Sequence, residues 1–315
     1  MDRNDVQWAG YWSALVTPFT EEGKLDEEAF ARVTDITVSQ GAHGILVNGS
    51  TGEWVSQSIE ERKRLAEIAV EVADGRTPVA VNVTGPTTQV AVGLARHAAS
   101  AGAESVMAAI PVGARPTARE AENYFKEIFA STELPGWLYN FPQDSATRLS
   151  VSQIVNLAKI PTVVGIKQST DSLAEFLDTI AAVGDELRVF GHMLSRLGAS
   201  LILGGYGGDG HFGSGMLLGS RQPDFFNHLQ AGRVAEALEI ADAVHTLNDT
   251  LRGSEDDYNW RYGGMQASLK AAMNILGQPG GYPRKPKLPV EDDASLDAIR
   301  QALVDAGVLA HEPAA

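Results

Sequence analysis

Cysteine is absent from the 315 residues, which excludes disulfides, thiol nucleophiles and thiolate metal sites while leaving the compartment unspecified. No apolar run approaches the roughly 20 residues that a membrane-spanning helix needs. Met1 to Gly10 also lacks the basic-then-apolar pattern of a secretion signal, so a cytoplasmic location is expected. Basic residues are few: 25 Lys and Arg stand against 40 Asp and Glu, a net charge of -15. That balance repels phosphate backbones and anionic bilayers, so neither nucleic acid nor membrane is an expected partner. The 44% hydrophobic content is ample for the core of a globular chain.

Short β-branched or apolar runs alternate with helical patterns. Eight strand candidates occur at Ser13 to Phe19, Gly44 to Ser50, Pro78 to Thr84, Ser105 to Pro111, Gly136 to Pro142, Thr162 to Ser169, Leu187 to His192 and Gly208 to Ser214. Amphipathic stretches such as Asp26 to Gln40 and Ser58 to Ala73 lie between them. This rhythm predicts an α/β fold, a (β/α)8 TIM barrel over residues 1–220, in preference to a doubly wound sheet. After Arg221 the strand signals stop. Helical patterns at Pro223 to Arg252, Met265 to Leu276 and Ala294 to Ala306 predict a C-terminal helical segment over 221–315, packed on the barrel. Gly205 to Gly210 matches the glycine spacing of a dinucleotide loop, but it precedes a strand rather than a helix and is read as the turn into the eighth strand.

Lys167 ends the apolar run Thr162 to Ile166. By itself it reads as a solvated charge at a strand terminus. An inward lysine would instead be desolvated, with a lowered pKa and a neutral amine able to attack a carbonyl. Strict alternation places Val163, Gly165 and Lys167 on one face and Val164 and Ile166 on the other, with Gly165 leaving room beneath the lysine. The second strand ends in Asn48-Gly49-Ser50-Thr51-Gly52-Glu53. Glycines with positive φ would let backbone amides converge on a carboxylate there, with two hydroxyls beside them, although an ordinary capped βα turn has the same composition. Tyr139 shares a face with Trp137 and Phe141 and is either core or a proton relay at a strand end.

Together, Gly49 to Glu53, Tyr139 to Pro142, Gly165 to Lys167, Gly208 to Ser214 and the tail Pro283 to Pro289 resemble the dihydrodipicolinate synthase and N-acetylneuraminate lyase family of pyruvate-dependent aldolases. The resemblance implies a Schiff base between Lys167 and pyruvate or another 2-oxo acid, with no separate cofactor and no metal. It implies that Gly49, Ser50 and Thr51 hold the carboxylate, that Tyr139 relays protons, and that Phe212 and Ser214 line the substrate. It also implies a homodimer or homotetramer.

The match fails where relatives choose their second substrate. The fourth-strand loop reads Pro111-Val112-Gly113-Ala114-Arg115-Pro116, without the tyrosine that synthases of the family lend across a subunit interface. Gln143 and Asp144 stand where those synthases place an arginine for a second carboxylate, which an acid would repel. Arg148 is the nearest substitute. His192, Met193 and Leu194 replace the acidic residues of the sialic acid lyases. Trp54 suits either an apolar pocket wall or packing beneath the first helices. His192 and His211, with Asp209 nearby, form no dense ligand cluster and are read as structural or substrate contacts.

The expected function is therefore a Schiff-base lyase, an aldolase or hydro-lyase, acting on pyruvate or a 2-oxo acid of the 2-keto-3-deoxy type, with an aldehyde as a further expected partner. The alternatives are 4-hydroxy-tetrahydrodipicolinate synthesis from pyruvate and aspartate semialdehyde, or a non-catalytic keto-acid-binding paralogue.

Overall fold

Eight parallel strands close into a barrel in the computed structural model, which describes residues 1–252 and 259–310. They are β1 (Gly10–Ala14), β2 (Gly44–Val47), β3 (Val79–Asn82), β4 (Ser105–Ala109), β5 (Gly136–Asn140), β6 (Val163–Gln168), β7 (Arg188–Phe190) and β8 (Gly210–Ser214). Outside them lie α1 (Glu27–Ser39), α2 (Ile59–Ala73), α3 (Thr88–Ala101), α4 (Ala118–Phe129), α5 (Pro142–Ser145), α6 (Val151–Leu157), α7 (Leu173–Val183), α8 (Arg196–Gly204) and α9 (Arg221–Gln230). Side-chain caps start most of these helices. Asp26, Ser58, Thr87, Thr117 and Ser150 each accept a hydrogen bond from the backbone N–H three residues on, and Glu61 and Glu120 return the bond to complete capping boxes.

The expected barrel is present, with two corrections of register. The first strand begins at Gly10 and ends at Ala14, not at Ser13 and Phe19. Pairing with β8 runs residue by residue from Gly10 with Gly210 to Ala14 with Ser214, and Phe19 instead bridges Leu25 and Tyr282. In β6, Gly136 faces Val163 but Trp137 faces Gly165, so a bulge absorbs one residue. Val164 therefore joins the barrel interior, while Val163 packs outward with Ile166. Gly165 and Lys167 still share the inner face. A Cβ on Gly165 would lie 2.5 Å from the Trp137 ring, so only glycine fits below the lysine.

Aromatic rings fill the interior beneath the site. Trp8, from the chain preceding β1, stacks on Trp137 at 4.3 Å, and Trp12 meets Trp137 edge-on at 5.4 Å. Phe190 and Phe212 complete this floor. Few rings are present, 7% of residues, but their concentration here makes the barrel a packed plug rather than a pore.

The stretch predicted as one helix from Pro223 to Arg252 is two, because Gly232 takes a left-handed φ of +73° between α9 and α10 (Val234–Arg252). The helix α9 lies against β1 and completes the eighth strand-helix unit. Helices α11 (Met265–Ile275) and α12 (Asp293–Asp305) follow. A short antiparallel pair, β9 (Asn259–Trp260) with β10 (Gly263–Gly264), lies in the region where no strand was expected. Among the described residues no helix is long and apolar enough to cross a membrane.

Candidate active site

From the inner face of β6, above the Trp137 ring that packs on Gly165, Lys167 lines a cavity of about 390 Å³. Its amine lies 4.1 Å from the centre of the Tyr139 ring and 5.4 Å from that of Phe212. Lys167 is 8% exposed. Burial pushes its pKa down from 10.5 to about 7, and the negative charge of Asp144 opposes part of that fall. A solvated lysine is neutral in only roughly one molecule per thousand near neutral pH. Here a large fraction is a free amine.

The sign of the shift sets a pH dependence. Only the neutral amine attacks a carbonyl, so the rate of imine formation should rise about tenfold per pH unit below the pKa and level off above it. Initial rates of borohydride trapping with pyruvate should therefore bend near pH 7. A profile still climbing steadily to pH 10 would show that the lysine is solvated.

The loop after β2 forms the carboxylate-sized corner, but not by the expected means. Gly49 and Gly52 do not take positive φ. Asn48 and Glu53 do, at 59° and 61°. The two glycines are instead required for space, since a Cβ on Gly52 would come 3.1 Å from the Leu15 carbonyl and one on Gly49 would come 3.3 Å from Leu46. Asn48 tolerates the left-handed region well. For Glu53 the conformation costs about 1–3 kcal/mol and must be held from outside. The Gly52 and Glu53 amides bond the Gly49 and Ser50 carbonyls, which leaves the amides of Ser50 and Thr51 without a partner among the described residues. Those two amides are thereby available to an anion. Thr51 Oγ1 lies 3.1 Å from Ser214 Oγ, and both residues line the cavity with Ser50, Tyr139, Lys167 and Phe212.

Residues far along the chain hold this loop, and sequence reading did not find them. Lys270 of α11, 1% exposed, donates to Glu53 Oε1 at 2.5 Å and to the carbonyls of Thr17 and Tyr282 at 2.7 and 2.8 Å. Glu53 Oε2 accepts from the Arg284 amide at 3.1 Å, and Gln266 donates to the Ser50 carbonyl at 2.9 Å. The signal in the sequence is a lysine set among Ala267, Leu269, Ala272 and Met273 on a helix with no other charge.

The residues whose roles were open now have places. Asp144 Oδ2 accepts from Ser50 Oγ at 2.9 Å. Arg148 is turned to the rim, where it pairs with Asp171 at 3.0 Å and with Glu175, so it does not substitute for the missing carboxylate-binding arginine. Trp54 lies against the Arg62 guanidinium at 5.1 Å and lines a small void beside Ser50 and Asp144. His192 and His211 both line the main cavity with Arg252 and Trp260. His211 sits second in β8 rather than at its end, donates from Nδ1 to the Gly191 carbonyl, and is held neutral by burial, which lowers its pKa to about 4. Asp209 is not their neighbour. It lies before β8, at the opposite end of the barrel, paired with Arg3 at 2.7 Å and Arg188 at 2.9 Å.

An inward, partly neutral lysine, an anion corner and a tyrosine on one cavity wall are the parts that imine chemistry on a 2-oxo acid requires. Comparisons with known proteins agree at the level of the family. The model of the dihydrodipicolinate synthetase family matches residues 7–304. A 4-hydroxy-tetrahydrodipicolinate synthase of Gluconacetobacter diazotrophicus is 31% identical, over 96% of this chain and 99% of its own. An uncharacterised DapA-like lyase of Rhizobium meliloti is also 31% identical, over 95% and 96%. The dihydrodipicolinate synthase of Aquifex aeolicus superposes with a TM-score of 0.83 at 25% identity, covering 96% of this chain and 99% of that one. With its barrel and its lysine in place, the chain belongs to the dihydrodipicolinate synthetase family and is an enzyme of the class I lyase type.

Proposed function

We propose that the protein is a Schiff-base lyase of 2-oxo acids whose second substrate, or leaving fragment, is not aspartate semialdehyde. The buried, partly neutral Lys167 carries the first half of this reading. Its amine attacks the keto carbon and loses water to form an iminium, an electron sink that lets a bond one carbon further on be made or broken. The amides of Ser50 and Thr51, with the Thr51 hydroxyl, hold the carboxylate, and Ser214 fixes Thr51. Gly49 seats the loop against Leu46, Phe212 bounds the corner, and Tyr139 moves protons to and from the departing oxygen. No cofactor beyond this covalent imine is needed for the chemistry.

Asp144 carries the second half. An acid at this wall, with Arg148 committed to Asp171 and Glu175, disfavours an electrophile that bears its own carboxylate there. A hydroxylated 2-keto-3-deoxy acid, cleaved or dehydrated, suits the wall better. The names of the 31% identical relatives favour a second reading, condensation of pyruvate with aspartate semialdehyde. One panel separates the two. Pyruvate release, or loss of water, from 2-keto-3-deoxy sugar acids is expected, without consumption of aspartate semialdehyde in the presence of pyruvate. Condensation at a comparable kcat/KM would overturn the first reading in favour of the second.

A further inference from the structure

Asp144 lines the small void beside the cavity and, among the described residues, has no ion-pair partner within 4.0 Å. Two acids line the main cavity and the small void beside it, Asp171 and Asp144. Asp171 is spent on Arg148. Among the described residues, the side chain of Asp144 makes no ion pair within 4.0 Å, and its hydrogen-bond partner is Ser50, whose hydroxyl donates to it at 2.9 Å. A void of about 10 Å³, near the size of one water, is bounded by Asp144, Ser50, Tyr139 and Thr84. Asp144 also stands close enough to Lys167 to act on its charge.

A serine hydroxyl cannot retain an extra proton by itself, but one hydrogen-bonded to a carboxylate can accept a proton while passing its own on. We propose that Asp144, acting through Ser50, is the proton store of the reaction: it receives the proton that the imine must release to become an enamine, and returns it afterwards. The proposal rests on the 2-oxo acid reading above. For the pyruvate imine, a C–H bond of the methyl group breaks and its electron pair becomes the new C=C bond. The C=N π pair returns to nitrogen as a lone pair. The proton passes to Ser50 Oγ as the Ser50 proton moves to Asp144 Oδ2, and reversal restores the imine. Asp144 itself does not touch the substrate, which distinguishes it from Lys167 and Tyr139.

Exchange of the pyruvate methyl hydrogens in D2O, followed by NMR, reads this step without knowledge of the second substrate, and borohydride trapping reads the imine separately. Asp144→Asn is expected to lower exchange by about 100-fold or more while trapping stays within about threefold of wild type, because nucleophile and anion corner are intact. Ser50→Ala, which removes the relay atom and leaves the carboxylate, should lower exchange as well. A merely structural role would lower both readouts together, and that result in Asp144→Asn would overturn the proposal, as would exchange at the wild-type rate. A wild-type protein that gains no mass with pyruvate and borohydride would instead overturn the 2-oxo acid reading, and this step with it.

Discussion

Lys167→Ala should lower turnover of a 2-oxo acid substrate on the order of 10⁴-fold or more and abolish the mass gained on borohydride reduction. Among the described residues, Lys167 is the lysine that lines the cavity. Lys270, the other buried lysine, has its Nζ bonded to Thr17, Glu53 and Tyr282. Lys167→Arg should be as inactive as the alanine variant, because a guanidinium stays protonated and cannot add to a carbonyl. Retained fold is expected in both, since Lys167 projects into the cavity and anchors no element. Reduction in the presence of pyruvate, digestion and mass spectrometry would locate the adduct. An adduct on any residue but Lys167, or full turnover by Lys167→Ala, would sink the mechanism.

The second large effect falls on stability. Lys270→Met should destabilise the protein by about 3–5 kcal/mol, because it strands the Glu53 carboxylate without its partner in a nearly dry site. Glu53 is 1% exposed and Lys270 1% exposed. The substitution also orphans the Thr17 and Tyr282 carbonyls that the amine satisfies. Glu53→Gln combined with Lys270→Met removes both charges and should recover much of the loss, since a paired deletion leaves no isolated ion. Denaturant unfolding measures both. The same variant tests the coupling to the site. Glu53 holds its left-handed backbone at the end of the anion corner through Lys270 and the Arg284 amide. Lys270→Met should therefore also weaken pyruvate binding without slowing the chemical step on bound substrate. A variant within about 1 kcal/mol of wild type would mean that the pair contributes little net stability, as exposed pairs do.

Arg284 extends this anchor. It bonds Glu61 at 2.7 and 2.8 Å and stacks over Phe19 at 4.0 Å. The tail thus reaches the loop after β1, the loop after β2 and the start of α2 at once. This Gly- and Pro-rich stretch is, in the fold, part of the wall behind the active site. Charge alone misleads there, because partner choice depends on which carboxylate the chain brings back across more than 200 residues.

Local signals were legible where a period or a cap decides them. The eight strands, the starts of α1 and α2 at Asp26 and Ser58, and the inward lysine over Gly165 all follow from patterns spanning a few residues. The β6 bulge was not legible, since the extra residue is defined only by the partner strand that fails to match it. Nor was the reason for Gly49 and Gly52, which is the approach of Leu46 and Leu15 rather than positive φ.

By itself the sequence determined the barrel, the residue at its reactive end, and the family to which both belong. Alternation, capping and short motifs are properties of neighbouring residues, so they survive without coordinates. Only the tertiary structure decided that Asp144 faces Ser50 while Arg148 turns away, and that Lys270 supports the anion corner from the C-terminal helices. Those are pairings between distant segments, and their energies depend on burial and on which partner lies within hydrogen-bond reach, neither of which the order of residues states.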